Sequence, residues 1–228
     1  MDANLVGPSP STPAGVPLSG VAEDARALVE EFRRAGGLSF GSHPLALARE
    51  RFARACAINA SREPLSVRTE DLVVDIDGVS IPIRLYQPAS PGPTRTWCVF
   101  LHGGGWVIGD LDTHDSLCRL LAHHSGAWIV SVGYRCAPEH PFPGPLDDCA
   151  RVIDRLLSHA DTLGGLPDRL VVAGDSAGAG MATAIANGFV ATEARIDGQI
   201  LLYPVTDLTL AQPSHRDVTT GFGLVASS

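Results

Sequence analysis

The spacing of apolar residues divides the chain into an N-terminal helical part and a following part in which strands and helices alternate. Apolar residues recur at helical spacing over 21–32, after Ser19 as a capping residue, and again over 45–56. Each set places its apolar side chains on one face of an amphipathic helix. The pair Gly36-Gly37 predicts the end of the first helix. The outer face of the second helix is predicted to be solvated and to carry three arginines, Arg49, Arg51 and Arg54.

From residue 71 the apolar period changes to two, which predicts strands. Apolar and polar residues alternate over 71–76 and 81–85 around the turn Asp77-Gly78, and this indicates a β-hairpin. Continuous apolar segments follow at 97–101, 128–132, 170–173 and 199–203, separated by helical segments near 113–124, 145–160 and 177–191. Such strands are typical of sheets covered on both faces, so the fold class is predicted to be α/β, with a mostly parallel sheet flanked by helices.

These patterns predict three segments. Residues 1–18 are rich in Pro, Gly and Ser without periodicity, and are expected to form a disordered arm. Residues 19–66 form a helical segment, and residues 67–228 form the α/β core.

Composition excludes several classes of protein. All 17 residues of the Lys+Arg count are arginine, which excludes Schiff-base enzymes, P-loop proteins and serine–lysine acylases, because each needs a lysine amine. The net charge of -8, without a basic cluster, argues against a nucleic-acid partner. Five scattered cysteines without C-x-x-C spacing predict reduced thiols rather than a metal site. With no basic-then-apolar leader and no membrane-spanning stretch, a cytoplasmic protein is expected.

The segment Gly174-Asp175-Ser176-Ala177-Gly178 follows a predicted strand directly and precedes a helix of small residues. A G-x-S-x-G sequence in this position is typical of a nucleophile elbow, a strained turn that projects the serine hydroxyl at the top of a sheet. The flanking glycines leave space for the turn. Ser176 is therefore predicted to be a nucleophile. The alternative is a glycine-rich turn that only closes a strand–helix unit.

A second motif, His102-Gly103-Gly104-Gly105, ends an earlier buried strand. Consecutive glycines expose backbone N–H groups, and acyl transfer needs such donors where negative charge develops on the carbonyl oxygen. The amides of Gly103 and Gly104, with that of Ala177, are predicted to form the oxyanion hole. A flexible glycine loop is the alternative for this motif on its own.

With these motifs the sequence resembles the hormone-sensitive-lipase-like group of α/β-hydrolases, also called the GDXG or α/β-hydrolase fold-3 esterases. The resemblance covers about residues 67–222 in the order of the family. The matching segments are 99–106 with Gly109-Asp110 and Thr113-His114, then 134–143, 174–178, and Tyr203-Pro204 with Asp207.

The resemblance implies an α/β-hydrolase fold whose N-terminal helices belong to a cap. It implies hydrolysis of short- to medium-chain carboxylic esters through a serine acyl-enzyme on Ser176, without metal or cofactor. His102 would hold the glycine loop in shape and would not be the catalytic base. Charged residues of the following loop and helix would be structural, namely Arg135, Glu139 and Asp147.

The triad of α/β-hydrolases runs in the order Ser, acid, His. In this family the acid follows the next strand and the histidine follows the last one, and neither motif occurs before Ser228. The last strands and helices are therefore expected to be missing, which leaves the core C-terminally incomplete. Asp207 and His215 are candidates for a substitute acid and base. The alternative is that they are a loop carboxylate and an exposed histidine.

Two functions stay open from the sequence. One is a carboxylic ester hydrolase with a small-molecule ester as its substrate. The other is a truncated, non-catalytic scaffold or small-molecule binding protein. The apolar segment 200–202 would lie on an unpaired sheet edge, which is expected to allow a homodimer or association with another chain.

Overall fold

The computed structural model describes residues 17–34, 43–209 and 211–213. Residues 1–16 of the predicted arm, and His215, lie outside this part of the chain. The chain divides into two compact units, Met1–Ala48 with Asp207–Ser228, and Arg49–Thr206. The division falls at Ala48, within a helix.

The N-terminal part of the first unit, where the structure describes it, is mostly helical. A 3-10 turn at Leu18–Gly20 precedes α1 (Glu23–Arg34), which begins with acidic residues and ends with basic ones, as the helix dipole favours. Leu28, one of the apolar residues whose spacing predicts a common helix face, is 70% exposed. The second predicted helix is present as α2 (Leu45–Asn59), in which Ala48 is buried. This helix continues into the second unit.

The second unit is built on one six-stranded sheet with the order β1-β2-β4-β3-β5-β6. Pairing is parallel from β4 through β6 and antiparallel at β1–β2 and β2–β4. The strands are β1 (Val67–Ile76), β2 (Val79–Pro88), β3 (Thr96–Leu101), β4 (Trp128–Val132), β5 (Arg169–Asp175) and β6 (Gly198–Leu202). The helices that follow β3, β4 and β5 are α3 (Asp115–Ser125), α4 (Gly144–Ser158) and α5 (Ser176–Ala186).

The apolar runs form strands because both faces of the sheet are covered. Along β3, Trp97 and Val99 join a large core cluster that includes residues of α4 and α5, whereas Cys98 and Phe100 join a second cluster with α3. This arrangement confirms the predicted α/β fold. The helix expected to reach residue 191 ends at Ala186, because Gly188 follows with φ 73° and breaks the helical backbone.

The sheet has an edge at β6. Among the described residues β5 is its only neighbour, and Ile200 is 46% exposed. No helix in the described part of the chain is both long and apolar enough to cross a bilayer.

Candidate active site

Ser176 lies at the junction of β5 and α5 with its backbone in the left-handed region, at φ 50°. This conformation is costly for a residue with a Cβ and persists only where the surroundings enforce it. The two glycines of the motif allow the turn to form. A Cβ on Gly174 would lie 2.5 Å from the carbonyl oxygen of Leu101, and one on Gly178 would lie 1.9 Å from the same atom. The predicted nucleophile thus stands on a strained strand-to-helix turn packed against the end of β3.

The glycine loop after β3 contacts this turn through Asp175. The Gly103 N–H donates to Oδ1 of Asp175 at 2.8 Å, so this amide already has an acceptor. A Cβ on Gly103 would lie 2.2 Å from Oδ2 of the same carboxylate. The prediction that Gly103 supplies an oxyanion donor is therefore wrong for this structure. The first glycine instead joins the loop to the turn.

The next two amides of the loop are available. Within the described residues, the N–H groups of Gly104, Gly105 and Ala177 have no hydrogen-bond acceptor. The Gly104 carbonyl accepts from the N–H groups of Val107 and Ile108 at 3.1 and 3.0 Å, which closes a tight turn. The loop is thus a defined turn, and its unpaired donors are Gly104 and Gly105.

His102 is fully buried beneath this loop. Its Nδ1 lies 2.9 Å from the Gly103 carbonyl oxygen, and its ring stacks on Tyr134 at a centroid distance of 4.1 Å. Burial lowers the pKa of His102 from 6.5 to about 4, and the hydrogen bond to Gly103 opposes this only in part. The imidazole is therefore neutral at pH 7. This supports the expectation that His102 shapes the loop.

A second buried histidine, His114, contacts Asp175. Nε2 of His114 is 3.1 Å from Oδ1 of Asp175, and its Nδ1 is 2.9 Å from Oγ1 of Thr113. Burial raises the pKa of Asp175, but the hydrogen bond and charge of His114 and the Gly103 N–H outweigh burial, so the pKa is lowered overall. Asp175 is thus a buried carboxylate held in its ionised form.

Arg49 of α2 binds the loops beside the site, contrary to its predicted place on a solvated face. It pairs with Glu139 through two hydrogen bonds of 2.8 Å. It also donates to the carbonyl oxygens of Val107 at 2.9 Å and Ala137 at 3.1 Å. The guanidinium therefore joins α2 to the segment after the glycine loop and to the loop after β4.

Arg135 pairs with a buried carboxylate of α4. Its guanidinium binds both oxygens of Asp148, at 2.9 and 2.7 Å, and the Asp148 side chain is 4% exposed. Asp147, the residue implied by the resemblance, is only half-buried. The two carboxylates are adjacent on α4, and the helix turns Asp148 inward.

Of the two candidates for a substitute acid and base, the structure describes only Asp207, which is bound by its own loop. Oδ1 of Asp207 accepts from the backbone N–H and the hydroxyl of Thr209, at 2.8 and 2.6 Å. His215 lies outside the described residues. Among the described residues no group of three His, Cys, Asp or Glu side chains could hold a metal ion.

The sheet order and the strained serine after β5 define an α/β-hydrolase scaffold. The family profile described as alpha/beta hydrolase fold matches residues 98–226. The chain belongs to this family, in its hormone-sensitive-lipase-like, fold-3 group.

Similar proteins include named esterases. The chain is 37% identical over 209 residues to an ethyl acetate hydrolase of Pseudomonas putida, covering 88% of the chain and 65% of that protein. It is 41% identical over 165 residues to the carboxylic ester hydrolase LipN of Mycobacterium tuberculosis, covering 69% of the chain and 43% of that protein. The chain thus matches less than two thirds of the length of either relative.

Solved structures agree with this assignment. A thermostable esterase from Pseudomonas putida superposes with a TM-score of 0.79 at 28% identity, over 95% of this chain and 66% of that one. An α/β-hydrolase enzyme from the metagenome of Lake Arreo gives a TM-score of 0.80 at 28% identity, over 92% of this chain and 68% of that one.

Proposed function

We propose that this chain is a carboxylic ester hydrolase that acts on short- to medium-chain esters through an acyl-enzyme on Ser176. The observation that carries the proposal is the strained serine at the β5–α5 turn, next to a loop with unpaired amides. The similarity to ethyl acetate hydrolase and to LipN supports ester hydrolysis as the reaction.

In the proposed reaction the Ser176 hydroxyl oxygen attacks the ester carbonyl carbon, and the carbonyl oxygen becomes an oxyanion. Gly104, Gly105 and Ala177 donate their N–H groups to that oxyanion, because the Gly103 amide is bound to Asp175. The alcohol leaves with a proton, and the acyl group stays on Ser176. Water then attacks the acyl-enzyme, releases the carboxylic acid and returns the proton to the serine.

Neither buried histidine near the loop suits the role of general base. His102 is held neutral against the Gly103 carbonyl oxygen, and both ring nitrogens of His114 already contact Asp175 and Thr113. Asp207 and His215 remain the candidates for acid and base. The base matters because a serine hydroxyl is a weak nucleophile, and serine hydrolases that lose a triad member keep only about 10³–10⁴-fold catalysis over water.

Hydrolysis of p-nitrophenyl acetate and butyrate tests the proposal. The variants are Ser176→Ala and, as a matched control, Ser80→Ala, which removes an exposed hydroxyl on β2. We expect turnover in the wild-type chain and the control, and only the buffer rate in Ser176→Ala. If turnover is found, loss of activity in His215→Ala or Asp207→Asn assigns the base and the acid. Equal rates in the wild-type chain and Ser176→Ala would contradict the proposal and favour a non-catalytic scaffold.

A further inference from the structure

We propose that His114 is a positioning residue for the oxyanion loop, acting through the carboxylate of Asp175. The inference deepens the proposed ester hydrolysis and rests on it for its catalytic consequence. In this arrangement His114 holds the carboxylate of Asp175, and the carboxylate holds the Gly103 amide. The oxyanion donors, the amides of Gly104 and Gly105, come directly after Gly103 in the chain.

One oxygen of the Asp175 carboxylate connects His114, the glycine loop and the turn that carries Ser176. Oδ1 of Asp175 accepts from the Gly103 N–H at 2.8 Å and lies 3.1 Å from Nε2 of His114. The side chains of His114 and Asp175 are each only 9% exposed, so water competes little for this oxygen. Asp175 immediately precedes Ser176 in the chain. The carboxylate therefore couples the loop that carries the oxyanion donors to the turn that carries the nucleophile.

The ring of His114 is held on several sides. Its centroid lies 5.5 Å from that of His102, 5.9 Å from that of Phe100 and 6.3 Å from that of Phe52. Oγ1 of Thr113 contacts Nδ1 at 2.9 Å and fixes the rotation of the ring. A ring fixed in this way presents Nε2 to Asp175 in one direction, which a freely rotating side chain would not do.

The proton count around Thr113 defines what His114 can donate. Oγ1 of Thr113 accepts from the Asp110 N–H at 2.8 Å and also lies 2.8 Å from the Asp110 carbonyl oxygen. Its single proton goes either to that carbonyl or to Nδ1 of His114. When the proton goes to Nδ1, the ring proton of His114 lies on Nε2, which donates to Oδ1 of Asp175.

This donation also has an electrostatic effect. An ionised carboxylate beside Ser176 opposes the negative charge that develops on the substrate oxygen, and the opposition is strong where water is excluded. The groups that donate hydrogen bonds to the Asp175 carboxylate partly neutralise its negative charge. Loss of His114 should therefore displace the loop and leave Asp175 less well neutralised.

The first test needs no activity. Amide hydrogen exchange at Gly103 is followed by NMR in the wild-type chain, in His114→Leu, which removes the donor, and in His114→Gln, which keeps one. The matched control is His124→Leu, at an exposed position of α3, the helix that begins directly after His114. We expect exchange at Gly103 to become about tenfold faster in His114→Leu and to change less in His114→Gln, because a charge-assisted hydrogen bond is weakened.

The second test uses ester hydrolysis by the same proteins. We expect kcat to fall by about 10- to 100-fold in His114→Leu with little change in KM, and to recover partly in His114→Gln. The double variant His114→Leu, Asp175→Asn should lose less kcat than the combined losses of the two single variants predict. The reason is that Asp175→Asn removes the carboxylate charge that His114→Leu leaves without its partner.

The outcomes separate the two proposals. A wild-type chain that hydrolyses no ester contradicts the proposed function, while exchange at Gly103 still decides the role of His114. Unchanged Gly103 exchange in folded His114→Leu overturns the positioning role, as does an unchanged kcat in an active enzyme. If His114→Leu does not fold, His114→Asn takes its place. Its side chain is shorter than that of Gln, so we expect it to miss Asp175 and to show the changes expected for His114→Leu.

Discussion

Acid should destabilise this protein through His102 at a pH where its carboxylates are still ionised. The imidazole is fully buried, and burial lowers its pKa from 6.5 to about 4. Between these values the unfolded chain binds a proton that the folded chain does not, so the free energy of unfolding rises with pH. The stabilisation is fully present above the unfolded pKa and is lost as the pH falls towards the folded one.

The size of the effect follows from the difference in pKa. At 1.36 kcal/mol per pKa unit the full loss is about 3 kcal/mol, of which roughly 2 kcal/mol is lost by pH 5. Other groups act at lower pH. The hydrogen bond of Arg84 lowers the pKa of Asp71 below its ordinary value of 3.8, and that of Arg49 lowers the pKa of Glu139 from 4.5 to about 2. The contributions of these two carboxylates to stability are therefore lost only below about pH 4.5.

Urea unfolding followed by tryptophan fluorescence, from about pH 8 down to pH 5, measures this loss. The control is His102→Gln, which cannot titrate and should remove most of the slope. An NMR titration of the His102 ring in the folded chain should give a midpoint near pH 4. A midpoint near the ordinary value of about 6.5, or a slope that persists undiminished in His102→Gln, would refute this reasoning.

Two further substitutions test the packing around the site. Gly178→Ala places a Cβ 1.9 Å from the Leu101 carbonyl oxygen and should abolish soluble expression or lower Tm strongly. The control Gly144→Ala, whose new Cβ has its nearest atom at 3.7 Å, should fold normally. Equal Tm values for the two variants would contradict the packing at the turn. Arg135→Met leaves the buried carboxylate of Asp148 without its partner and should cost about 3 kcal/mol in urea unfolding, whereas a loss below about 0.5 kcal/mol would show that the pair is solvated.

The sheet could be predicted from the sequence because its strands are buried on both faces. Short continuous apolar segments, such as 97–101, are typical of strands covered on both faces. The residues between these segments show helical spacing. The turn at Ser176 could be predicted as well, because its glycines are required by contacts within a few ångströms of the backbone. Local sequence determines these features.

Long-range contacts could not be predicted in this way. The Gly103 amide binds a carboxylate 72 residues later in the chain, and no periodicity links the two positions. Arg49 was expected on a solvated face because its helix alone was considered, yet the loops that it binds lie 58 to 90 residues away. Arg135 pairs with Asp148 rather than with the adjacent Asp147 because of how α4 is rotated against the sheet. The sequence of two neighbouring carboxylates does not indicate that rotation.

The most direct test of the account is to find where an acyl group is attached during ester cleavage. The chain is mixed with p-nitrophenyl acetate, quenched in acid and digested, and the acetylated peptide is located by mass spectrometry. The account predicts an acetyl group on Ser176 that is absent from Ser176→Ala. Acetylation at another residue, or ester cleavage that continues in Ser176→Ala, would contradict it.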